Sequence, residues 1–122
     1  MLKFVDKSFA VLLFVGAALH AYGSLVGYPI GSEVLVWALS GSLSAGLIAI
    51  LNLVRANRPH DHTLAWIAVG SSLCWAAVAL GFGNAIGNPI DPRVLWHALA
   101  PLALAGFGLR QLSVLLMPAR AM

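Results

Sequence analysis

Four stretches of this chain, Ser8–Val26, Val34–Val54, Leu64–Ile86 and Val94–Met117, are apolar over the width of a bilayer, and Arg110 is the single Lys, Arg, Asp or Glu inside any of them. A helix crosses the roughly 30 Å hydrocarbon layer with about 20 residues at about 1.5 Å each. Over the whole chain 61% of residues are hydrophobic and 9% charged, whereas soluble domains carry about 25% charged residues. So few charges cannot coat a water-facing exterior. The expectation is an all-α, polytopic membrane protein of four transmembrane helices, forming a single domain over residues 1–122. Cys74 stands alone, which excludes a disulfide framework or a four-cysteine zinc site. The net charge of +3 comes from scattered basic residues, so no nucleic-acid partner is expected.

The chain also writes one passage twice. "YGSLVGYPIGSEVL" (Tyr22–Leu35) returns sixty residues later as "FGNAIGNPIDPRVL" (Phe82–Leu95). Gly23/Gly83, Gly27/Gly87, Pro29/Pro89 and Ile30/Ile90 match without a gap, and the match runs on through Ala45/Ala105 and Gly46/Gly106. This predicts a tandem duplication of a two-helix hairpin, with repeats over residues 8–54 and 64–117. An even number of spans per copy makes the two copies parallel, related by a pseudo-two-fold axis along the membrane normal. The shared passage reads as a hairpin corner. Gly27 and Gly87 suit left-handed C-terminal caps, and Pro29 and Pro89 stop the helix. Ser32 and Asp91 suit N-caps, with Pro92 at a first helical position. Gly23 with Gly27, and Gly83 with Gly87, form G-x-x-x-G pairs that let a neighbouring backbone approach. Small residues continue as Gly41, Ala45, Ala49 and as Ala100, Leu104, Gly108. Some of this small-residue surface is expected to meet other membrane proteins or further copies of the chain.

Basic residues set the expected orientation. If the spans alternate around the polar loop Arg55–Thr63, Lys3, Lys7, Arg55, Arg58 and Arg120 share one side, with Arg110 near enough to snorkel out, while Arg93 lies opposite with Glu33 and Asp91. Both termini are thus predicted in the cytoplasm, and the protein in the cell (inner) membrane. Lys3 and Lys7 ahead of an apolar run resemble a signal peptide with Ala21 as a cleavage residue, but the matching internal segment of the second copy argues against cleavage.

Imidazoles inside a span mark candidate function. His20 and His97 come from different copies yet fall at similar depths near the outer face, and neither is repeated: Leu80 and Trp37 stand at the matching positions. Pro101, four residues beyond His97, removes a donor to that residue's carbonyl. Arg93, Glu33 and Asp91 are expected at the same end. Such a pair suits a proton or small-ligand site, a quinone head group, or haem ligation from two helices. No cofactor is the primary expectation, with haem as the one alternative. "RPHDHT" (Arg58–Thr63) holds His60 and His62, but reads as a solvated loop in which Asp61 or Thr63 caps the third helix, and no metal site is assigned. Nucleophile elbows and phosphate loops are absent. The leading expectation is therefore a non-enzymatic accessory or assembly subunit, or a homo-oligomer, built on small-residue helix packing. An oligomeric transporter or channel using His20 and His97 is the alternative, and a haem- or quinone-binding subunit the next.

Overall fold

The computed structural model describes residues 1–116, all but the connections being helical: α1 (Leu2–Gly27), α2 (Glu33–Asn57), α3 (His62–Ala85) and α4 (Pro92–Leu116). Met117, the expected end of the fourth span, and Arg120 lie outside the described residues. Helices α1, α2 and α3 are each long and apolar enough to cross a membrane. Helix α4 matches them in length but carries Arg93, His97, Arg110 and Gln111. The hairpin partners α1–α2 and α3–α4 pack most extensively, with α1–α4 next and α2–α3 after it. The result is an antiparallel four-helix bundle with a corner end, holding residues 27–33 and 85–92, and a terminal end.

Local chemistry explains the boundaries. The Ser32 hydroxyl accepts from the Leu35 N–H at 3.2 Å, and the Asp61 carboxylate from the Leu64 N–H at 2.9 Å. Asp91 accepts from the Arg93 N–H at 2.9 Å, directly after which Pro92 opens α4 as expected. Each side-chain oxygen satisfies a helix-terminal donor that has no partner within its own helix. Gly87 adopts φ +68°, with its N–H on the Asn84 carbonyl and the Asn88 N–H on the Gly83 carbonyl, both at 3.0 Å. That is a Schellman termination. The expectation fails at Gly27, which ends α1 without left-handed geometry. In that corner Gly31 has φ +82°, inside a turn closed by Ser32 N–H to the Pro29 carbonyl. The repeated passage thus folds into two different corners, because the second copy has Asp91 where the first has Gly31.

The middle of the bundle is packed from small side chains. Ala10, Leu13, Ala45, Ala49, Ala100 and Leu104 form one buried cluster. The row Gly41–Ala45–Ala49 and the row Ala100–Leu104–Gly108 therefore line the bundle's own interior. Gly83 also serves close approach: a Cβ there would lie 2.8 Å from Val94 Cγ1 and 3.2 Å from Pro89 Cα. Gly23 and Gly27 do not, since nothing lies within 4 Å of a Cβ built at either. Among the described residues no backbone uses that G-x-x-x-G face.

A second correction concerns Arg55. It does not stand in the loop but inside α2, with its side chain 1% exposed. It donates through Nη2 to Asp6 of α1, through Nε to Asn52 of α2 at 3.1 Å, and through Nη1 to Gln111 of α4 at 3.2 Å. Asn52 in turn donates to Ser72 of α3 at 3.0 Å. One guanidinium thereby links all four helices. Helix α1 also begins at Leu2 rather than Ser8, which places the acid Asp6 on a buried helix face.

Candidate functional site

The corner end holds the two roomiest spaces between helices that also carry imidazoles. His20 and His97 meet there, ring centroids 6.1 Å apart and planes at 73°. The pair forms a common wall of two cavities. One, of about 560 Å³, runs along α1 against the start of α4 and is floored by Gly16, Gly23 and Gly27. The other, of about 440 Å³, lies among all four helices and is walled by Trp37, Trp75 and Phe82. Arg93 and Tyr28 border both. Volumes of this size and mainly apolar walls with a few convergent polar groups are typical of small-molecule sites.

Each imidazole is held from behind. Ser42 Oγ lies 2.7 Å from His20 Nδ1 and also donates to the Ala38 carbonyl at 3.1 Å. The indole of Trp75 donates to His97 Nδ1 at 3.3 Å and stands edge-on to the ring, centroids 5.9 Å apart. An indole N–H only donates. His97 must therefore accept on Nδ1, so its neutral ring carries the proton on Nε2. Gly16 makes the approach of α4 possible. A Cβ at Gly16 would fall 2.8 Å from Trp96 Nε1 and 3.2 Å from His97 Nε2. Trp96 uses that gap to donate to the Leu12 carbonyl at 2.8 Å; it is a strut between α1 and α4 as well as an aromatic near a helix end.

The other expected site residues divide. Arg93 reaches the site, though its guanidinium is 69% exposed and clasps Asp91 through two bonds of 2.9 and 2.8 Å. The side-chain hydrogen bonds from Arg93 hold the Asp91 carboxyl down at about 2, from an ordinary 3.8. Asp91 is thus a cap and counter-ion, not a cavity wall. Glu33 accepts from the Trp37 indole at 3.3 Å on an exposed face of α2 and does not join the histidines. Pro101 is buried inside α4, which continues through it as one helix. Ser42, Trp75, Gly16 and Tyr28 were not marked by the sequence as site residues. Only the i+4 step from Ala38 to Ser42, and Trp75 on the next helix, hinted at polar partners for an embedded imidazole.

A ligating imidazole offers a lone pair on one nitrogen and donates from the other, but Trp75 forces the opposite arrangement on His97. Among the described residues no group of three or more His, Cys, Asp and Glu side chains gathers to hold a metal ion. The chain matches no known protein family, no curated protein and no solved structure.

Proposed function

We propose that this is a small, non-enzymatic, four-span membrane protein that reversibly holds a lipid-soluble ligand with a flat polar head, of the quinone class, between His20 and His97. The observation that carries this reading is the meeting of two imidazoles from opposite hairpins as the shared wall of two cavities. His97 Nε2–H offers a hydrogen bond to a carbonyl oxygen, while His20, whose Nδ1–H serves Ser42, offers an Nε2 lone pair to a hydroxyl of the reduced head. Trp75, Trp37 and Phe82 offer faces to an aromatic ring. The glycine-floored groove between α1 and α4 gives an apolar tail a way out to lipid. Beneath the histidines the alanine-rich core is closed, which works against a transport path through a single copy.

In this reading α4 crosses the bilayer with the other three helices, its polar residues lying near its two ends or in the site. The duplicated hairpin is supported by helix starts at Leu2 and His62, and at Glu33 and Pro92. The termini face the cytoplasm, the side favoured by Lys3, Lys7, Arg58 and Arg110. The test is quenching of tryptophan emission by a short-chain ubiquinone titrated into the purified protein. Saturable quenching is expected, and His97→Ala should weaken it about tenfold, the scale of one lost hydrogen bond in a dry site. Absence of saturable quenching in the unaltered protein would refute the proposal.

A second reading, assembly with other membrane chains, has its own observation: the bare Gly23–Gly27 face of α1. The two are compatible, because a partner helix on that face would close the first cavity.

A further inference from the structure

The terminal end has a cavity of its own, a groove of about 300 Å³ between the start of α1, the end of α4 and the α2–α3 turn. Its apolar side is made by Leu2, Phe107 and Val114, its polar side by Lys3, Arg110 and His60. Asp6 and Arg55 close its floor. Among the described residues Asp6 is the one carboxylate bordering the groove, and it is already paired with Arg55. Among the described residues neither Lys3 nor Arg110 has a carboxylate partner. The groove therefore holds two uncompensated cations beside a greasy wall, at the ends of helices that span lipid.

We infer that this groove binds the headgroup of an anionic phospholipid, the phosphodiester lying between Lys3 and Arg110 and an acyl chain against Phe107 and Val114. Charge complementarity selects an anion, and the continuous apolar wall selects one with a tail. Basic pockets between membrane helices recognise lipid headgroups in this way. The floor adds a physical reason for the location. Each of the three guanidinium nitrogens of Arg55 already donates within the bundle, so the Asp6–Arg55 pair closes the floor as a fixed neutral unit and does not compete for the ligand. Lys3 and Arg110, both exposed, remain to make the contact.

The experiment is native mass spectrometry of the full chain in detergent, titrated with phosphatidylglycerol and, separately, with phosphatidylcholine of the same acyl chains. One phosphatidylglycerol is expected to bind in preference to phosphatidylcholine. Each cation near a headgroup contributes about a fivefold factor, so K3Q/R110Q should weaken phosphatidylglycerol binding about 25-fold and abolish the preference. The charge-conserving K3R/R110K should retain it. Lys7→Gln, which removes a cation outside the groove, should also retain it. Equal binding of the two lipids, or a preference that survives K3Q/R110Q, overturns the assignment. So does displacement of the lipid by millimolar inorganic phosphate, which would make the site one for a free anion.

Discussion

Gly16 shows how much of the site rests on a missing side chain. It is one of 12 glycines, and nothing in its neighbourhood sets it apart until α4 is laid against α1. A methyl there would meet Trp96 Nε1 at 2.8 Å and Cδ1 at 2.9 Å, atoms of a rigid ring already tied to the Leu12 carbonyl. Gly16→Ala should therefore cost about 1–3 kcal/mol by overpacking, read as a shift of reversible unfolding in mixed detergent micelles. Gly23→Ala, with open space at its Cβ, is the matched control. If Gly16→Ala unfolds where the unaltered protein does, the strut assigned to Trp96 is wrong. At this scale the histidines were legible, because an imidazole in an apolar run is conspicuous. Their holders were not. Ser42 and Trp75 have ordinary uses in any membrane helix, and only the rotation of α2 and α3 about their axes turns them toward His20 and His97. Glu33 was misplaced for the same reason: it lies at the correct end of the bundle but on the wrong face of its helix.

Helices themselves were easy to read, since apolar length in lipid leaves the backbone few alternatives. Their ends were harder. Charged residues look like the limits of a span, so Asp6 was passed over and Arg55 assigned to the loop. In the folded protein both are helical, and each makes the other's burial tolerable. Sequence pattern cannot pair residues 49 positions apart when neither belongs to a periodic motif. The energetic consequence is sharp. Removing one partner of a buried ion pair leaves an uncompensated charge, at a cost of about 3–5 kcal/mol. Arg55→Ala should destabilise the bundle on that scale in the same unfolding assay, while Asp6→Leu with Arg55→Met should recover most of the loss. Arg55→Lys should fall between, because an ammonium lacks the planar fork that serves three acceptors. An Arg55→Ala protein of ordinary stability would show that the linkage carries no weight.

Viewed whole, the molecule is tied at one end and hollow at the other, and its duplicated corner is duplicated in sequence more faithfully than in conformation. The rows Gly41–Ala45–Ala49 and Ala100–Leu104–Gly108 serve the bundle itself, as expected of some of the small-residue surface. The Gly23–Gly27 face lies outside it. A Cβ at either position meets nothing within 4 Å among the described residues, so Gly23→Ala with Gly27→Ala should leave the fold intact yet reduce any dimer seen by native mass spectrometry at least tenfold. A dimer that persists in the double variant would place association on another face. The arginine linkage also carries an implication for how the chain is made. Asp6 and Arg55 belong to the first hairpin, whereas Ser72 and Gln111 belong to the second. The opposite charges are therefore both present before the latter half has been synthesised, so the early half can enter lipid with its buried ions already paired and await only two uncharged partners. Biogenesis would then proceed hairpin by hairpin, with no ion left stranded in oil at any stage.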